Sequence, residues 1–173
     1  MIDSKRQDAD VRILIEDGES QTTEFKSTLR TDVKDRGMPT SAVEYQCLET
    51  INGFLNAPTG GTLLIGVEDD KSIYGLEDDY GTFQEDQKQE VFRRHLYTII
   101  GSSIEDRFDG FIDISFVTLN YEEICVVNVD QGSRPAYFEH KHGEEQEFYV
   151  RQGNRTVPLE PKQQAEYIRD EFE

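Results

Sequence analysis

Glu24-Phe25-Lys26 sets a carboxylate and an ammonium on either side of one aromatic residue. In an extended strand side chains alternate, so Glu24 and Lys26 share a face while Phe25 points into the core. Such a pair suits phosphate chemistry: the carboxylate can bind a divalent metal, and the lysine can orient water or stabilise charge on a scissile phosphate. Glu19 lies upstream of Glu24, and Asp69 closes the next apolar strand. If the two strands are neighbours, Glu19, Glu24 and Asp69 could converge on one hard, oxygen-seeking cation. Two plainer readings stand beside this one. Glu24 and Lys26 could form a solvated ion pair worth little. Asp69 could be a turn residue, because Glu68-Asp69-Asp70-Lys71 is good turn chemistry.

The elements that would position these groups are legible. Thr22 to Thr28 reads as a strand, preceded by a short helix from Asp8 to Glu16 that ends at Gly18. Ser41 followed by Glu44 predicts a capping box, and Val43, Cys47, Leu48, Ile51 and Leu55 form one apolar stripe. Pro58, Gly60 and Gly61 end that helix, and the glycines allow backbone geometry that Cβ-bearing residues resist. Thr62 to Val67 then reads as a buried strand ending at Glu68, Asp69 and Asp70, and ligand groups often sit where strands of α/β folds end.

Arg30 to Pro39 reads as a loop, Ile73 to Leu76 as a short returning strand, and Gln84 to Ile100 as a helix. The remaining half is β-rich, with strands at 111–119 and 124–129 and shorter ones at Tyr137-Phe138 and Phe148 to Val150. Pro161 opens a C-terminal helix through Phe172. The expected fold is α+β: a single mixed α/β domain over 1–173, with a mainly antiparallel sheet and flanking helices.

Composition narrows the function classes. A chain of 173 residues with 35% hydrophobic content, ten Phe and eight Tyr can bury a genuine core. No long apolar run exists and the N-terminus lacks an apolar signal core, so no membrane partner and a cytoplasmic location are expected. Cys47 and Cys125 belong to no C-x-x-C pair, so no structural zinc is expected. The net charge of −18 runs against the basic footprint usual in nucleic-acid binders. Scarce lysine beside abundant acid fits a protein adapted to high salt, where self-repulsion is screened; a plain acidic protein is the alternative.

Taken in order, Glu19-Ser20, Glu24-Phe25-Lys26, Phe54-Leu55-Asn56, Gly60 to Asp70 and Ile73-Tyr74-Gly75 resemble the Schlafen AlbA_2 domain family. Arg134-Pro-Ala-Tyr137 and Phe148-Tyr-Val-Arg-Gln-Gly-Asn-Arg155 agree, and the resemblance is strongest over 16–160. It implies a mixed α/β nucleic-acid-binding module, sometimes ATP-binding. In Schlafen proteins with ribonuclease activity it implies an acidic active site, carried over here to Glu19, Glu24 and Asp69 with Lys26 beside them. The implied chemistry is endoribonucleolytic cleavage of structured RNA such as transfer RNA with Mg²⁺ or Mn²⁺, RNA being favoured over DNA. Schlafen cores pair two such lobes, so a single lobe would form a homodimer or bind weakly. A non-catalytic DNA-, RNA- or ATP-binding regulatory module, or an acidic protein-interaction domain, is the alternative function.

Arg134, Arg151 and Arg155 could form a phosphate-binding edge with Tyr137 and Tyr149 available for stacking; ordinary pairing with surface carboxylates is the alternative. His140 and His142 would share a strand face, yet no third metal ligand is placed by spacing, and a hairpin tip is the better reading. Gly60-Gly61 could cradle phosphate but lacks the Gly-Lys-Ser/Thr ending of a nucleotide P-loop, so Walker-type ATP hydrolysis is not expected.

Overall fold

Alternation along the strands gives the sheet two apolar faces, and each face is covered by helix. The computed structural model describes residues 2–34, 38–140 and 146–173. In chain order the elements are α1 (Ile2–Asp17), β1 (Thr23–Lys26), α2 (Ser41–Asn56), β2 (Gly61–Ile65), α3 (Glu77–Tyr80), α4 (Lys88–Ser103), a 3-10 turn (Asp106–Phe111), β3 (Ile112–Leu119), β4 (Glu122–Val129), β5 (Tyr149–Gln152), β6 (Arg155–Pro158) and α5 (Pro161–Phe172). Four strands form a mixed sheet in the order β1-β2-β4-β3, and β5 and β6 form a separate hairpin.

β1 and β2 are parallel, with Glu24 opposite Leu63 and Lys26 opposite Ile65. The helix α2 lies between them in sequence and supplies the crossover that a parallel pair needs. The other two pairings of the sheet, β2 with β4 and β4 with β3, are antiparallel. Leu63, Ile65, Cys125, Val127 and Val129 face α2 and α4 in the larger core, with Phe54, Phe92 and Ile100. Phe25, Leu64, Val117, Ile124 and Val126 face the opposite way and pack beneath Val11 and Ile15 of α1. Phe25 is therefore buried as expected, under α1, while Glu24 and Lys26 emerge on the α2 side of an edge strand.

Four local expectations give way to the structure. The residue that caps α2 is Thr40, whose hydroxyl accepts from the Ala42 amide; Glu44 does not close a capping box because its carboxylate is held by His95. Residues 73–76 make only the isolated bridge Val67–Ile73, since the amides of Tyr74 and Gly75 both turn back onto the Gly66 carbonyl. The expected helix over 84–100 is displaced to Lys88–Ser103, with the separate short helix α3 before it. Likewise Tyr137-Phe138 contributes a single bridge, Phe138–Glu147, in place of a strand. At the other end, α5 begins as expected at Pro161, and Glu160 and Gln163 complete a capping box there.

The double glycine is a packing device. Gly60 has φ +60°, and a Cβ on it would collide with the Val129 carbonyl oxygen; a Cβ on Gly61 would collide with the Phe54 ring. The pair lets the end of α2 and the start of β2 press against β4. Gly153 has φ +61° but nothing within 4 Å of the Cβ position. Gly60→Ala should lower the unfolding free energy by about 2–3 kcal/mol, and Gly153→Ala by only about 1 kcal/mol. Urea denaturation measures both; equal losses would contradict the close approach at Gly60.

Candidate nucleic-acid interface

Lys26 Nζ lies 2.6 Å from Glu24 Oε1. The second oxygen of Glu24 accepts from Arg151 Nη1 at 2.8 Å. One carboxylate thus serves two cations and is largely withdrawn from solvent, its side chain retaining 12% exposure. Glu19 is engaged differently. Its Oε1 accepts from the backbone amide of Phe25 at 3.1 Å, while the Ser20 amide donates to the Thr23 carbonyl at 2.9 Å. The chain just before β1 therefore folds back to cover the outward-facing groups of this edge strand, which would otherwise invite another strand.

Past the end of β1 the chain opens into a cavity of about 300 Å³. Lys26, Ser27, Thr28, Thr31, Lys34 and Asp69 are among its lining residues, with Asp32, Gln46 and Val43. Lys26 and Asp69, read from sequence as parts of one site, open onto the same space. Asp69 is exposed and lies in the turn that follows β2, where the Lys71 amide donates to the Glu68 carbonyl.

The three carboxylates carry hard oxygen donors of the type that Mg²⁺ or Mn²⁺ prefers. They are not gathered, however. Among the described residues no three His, Cys, Asp or Glu side chains stand close enough to hold a metal ion, and both oxygens of Glu24 already face cations. As they stand in this structure, Glu19, Glu24 and Asp69 do not converge on one cation.

The segment lining the cavity is fixed by a residue that none of the expectations above concerns. Asp79 is wholly buried. Its carboxylate accepts from the amides of Leu29 at 2.6 Å, Arg30 at 3.0 Å and Thr31 at 3.2 Å, and from the Thr31 hydroxyl at 3.0 Å. Burial pushes its pKa up from the ordinary carboxylate value, against the pull of these four donors. The only sequence signal is the apolar spacing of Leu76 and Tyr80 around it, which turns one side of α3 inward.

The five residues expected as a phosphate-binding edge divide. Arg151 is buried and saturated. It donates to the Ser20 carbonyl at 2.6 Å, the Gln21 carbonyl at 3.3 Å and Thr156 Oγ1 at 2.9 Å as well as to Glu24, and its guanidinium stacks 4.8 Å from the Phe54 ring centre. Tyr149 is also buried, its hydroxyl donating to Glu147 at 2.6 Å; burial pushes its pKa well up. Both act as fasteners in this structure. Tyr137 is half-buried with its ring 5.5 Å from that of Phe148, and Arg134 and Arg155 are exposed. His140 pairs with Glu147 at 2.8 Å, and His142 lies outside the described residues. Both cysteines are buried in the core, and burial pushes the Cys47 thiol up to about 12.

The family model "Schlafen, AlbA_2" matches residues 19–160, which include all nine of the residues singled out above as catalytic or nucleic-acid-binding. The chain belongs to this family. Membership supports a nucleic-acid-related function. Among solved structures, the DIP2311 protein from Corynebacterium diphtheriae has a similar fold, with a TM-score of 0.58 over 87% of this chain at 20% sequence identity. The chain spans 24% of that protein's length. The comparison with curated proteins finds no match. No helix among the described residues is long and apolar enough to cross a membrane.

Proposed function

We propose that the protein binds nucleic acid, preferentially RNA, and that the Lys26 cavity takes part of the phosphate backbone. The observation that carries this reading is a local balance of charge. Along the whole chain 36 acidic residues outnumber 18 basic ones, yet the cavity sets Lys26 and Lys34 against Asp32 and Asp69 among hydroxyls. A rigid floor supports it, because Asp79 pins the 29–31 backbone and Arg151 pins the turn before β1. Phosphate contacts fix a strand in place through such cations and hydroxyls without reading bases.

Endoribonucleolytic cleavage is a second reading, favoured by the contact between Glu24 and Lys26 and by Asp69 opening on the same cavity. Both readings are tested by incubating the protein with transfer RNA and with plasmid DNA, with and without Mn²⁺, beside Glu24→Gln and Asp69→Asn variants. Binding of RNA without cleavage is the expected outcome for a binding module. Mn²⁺-dependent cleavage lost in both variants would establish the nuclease reading, and cleavage surviving both would remove these carboxylates from the site. Absence of any binding would overturn the nucleic-acid reading and favour a protein partner.

A further inference from the structure

Arg30 leaves the loop pinned by Asp79 and lays its guanidinium over the Phe83 ring, 5.1 Å from the ring centre. Its Nε is buried and has no hydrogen-bond partner. The nearest carboxylate oxygen, Glu44 Oε1, is 3.6 Å away and is already engaged by His95 Nε2 at 2.7 Å. None of the guanidinium nitrogens makes a hydrogen bond among the described residues. Arg151 in the same chain spends its donors on four separate acceptors, so the contrast is internal. A buried donor left unmet costs about 1–3 kcal/mol. The Arg30 side chain borders a cleft of about 330 Å³, together with Phe83, Glu85, Arg94, His95 and Thr98.

We propose that this cleft is an oxyanion site that receives a phosphate group of a bound nucleic-acid strand. A guanidinium with free donors suits phosphate oxygens, which accept two parallel hydrogen bonds from it. Its present environment holds the plane of the fork in place: the Phe83 face lies on one side, and the Asp79-bound backbone holds the stem. Arg94 supplies a second cation from α4. Its pairing with Glu85, at 3.1 Å, is made by two side chains that are each more than half exposed. Such a pair is worth little and exchanges readily for a better acceptor. Glu44 faces His95 and sets its negative charge on the α2 side of the cleft, so an incoming phosphate would be met by Arg30 and Arg94 together.

The same short segment presents Thr28 and Thr31 to the Lys26 cavity and Arg30 to this cleft. A strand crossing the segment would meet cations on both sides, which suits a polyanion better than a single free phosphate. The proposal thus rests on the nucleic-acid reading for the source of the phosphate, while the anion site itself stands on the geometry of Arg30.

Two arms separate the source from the site. In the first, binding of a fluorescent single-stranded RNA oligonucleotide to the full chain is followed by anisotropy for wild type, Arg30→Gln, Arg30→Lys and Arg94→Gln, with Lys162→Gln on α5 as a distant exposed control. Arg30→Gln should weaken binding about tenfold and flatten the slope of log affinity against log salt by about 1, with Lys162→Gln nearly unchanged. Arg30→Lys keeps the charge without the fork and should recover only part of the loss. In the second arm, inorganic phosphate is titrated against the side-chain NMR signals of Arg30 and His95 at constant ionic strength. Perturbations present in wild type and lost in Arg30→Gln are expected. RNA binding equal in wild type, Arg30→Gln and Arg94→Gln would overturn the site and leave the nucleic-acid reading intact. Phosphate perturbation without RNA binding would keep the anion site and discard the nucleic-acid source. No response in either arm would overturn both.

Discussion

Replacing Arg151 by methionine should lower the unfolding free energy by about 3–5 kcal/mol, the range for removing one partner from a buried ion pair. The side chain is wholly withdrawn from solvent and touches three parts of the chain at once: the Ser20 and Gln21 carbonyls, Glu24 of β1, and Thr156 of β6. Methionine fills comparable space against Phe54 but meets none of these acceptors. The Glu24 carboxylate would be left with Lys26 alone. A urea titration would show the loss, and the double variant Arg151→Met with Glu24→Gln should recover part of it by removing the uncompensated charge. A loss below about 1 kcal/mol would show that the guanidinium is hydrated in solution and holds nothing together.

The second large effect is expected at Asn56. Its side-chain amide donates to the carbonyls of Ala136 and Tyr149, each at 2.9 Å, and its oxygen accepts from the Ala136 amide at 2.8 Å. One turn earlier, Asn52 donates to the Ala136 carbonyl at 3.1 Å and accepts from the Tyr149 amide at 3.1 Å. This pair on α2 joins the segment at residue 136 to the start of β5 through their backbone groups. Asn56→Leu keeps the branched shape, leaves the Ala136 amide and the Tyr149 carbonyl unmet and leaves the Ala136 carbonyl to Asn52 alone, at about 1–3 kcal/mol for each unmet group. A total near 4 kcal/mol is expected because the groups relax together. Chemical denaturation measures it, and hydrogen exchange at the Ala136 amide should accelerate more than at Val127 in β4. Equal acceleration at both would mean that Asn56 supports the whole core and not this junction.

What the sequence disclosed follows from which forces are local. The apolar stripe of α2, the alternation through Ile112 and Ile114, the continuous apolar run after it and Pro161 opening α5 all depend on near neighbours, and all recur in the structure. The order strand, helix, strand across residues 23–65 is legible too, while the adjacency of β1 and β2, left open there, and their parallel pairing come from the structure. Charged residues were less legible because their role depends on what lies across the fold. Asp79 sits in an acidic run that reads as solvated linker, yet it alone of that run is wholly buried. Arg151 reads as a surface arginine, although alternation places it on the same strand face as buried Tyr149, a signal that could have marked it as inward. The glycines at 60 and 61 read as a turn that could cradle phosphate, and in the structure their missing side chains leave room for the Val129 carbonyl and the Phe54 ring. For the site itself, the face shared by Glu24 and Lys26 followed from strand geometry, while the capture of Glu24 by Arg151 could not, because the two residues are 127 positions apart.

Contact between the Lys26 cavity and the phosphate backbone of RNA is read out by fluorescence anisotropy of the full chain with labelled transfer RNA, for wild type and Lys26→Gln over a series of salt concentrations. Measurable wild-type binding is expected, with weaker binding by Lys26→Gln and a slope of log affinity against log salt reduced by about 1 in the variant. Wild-type and variant curves that coincide at every salt concentration would contradict it.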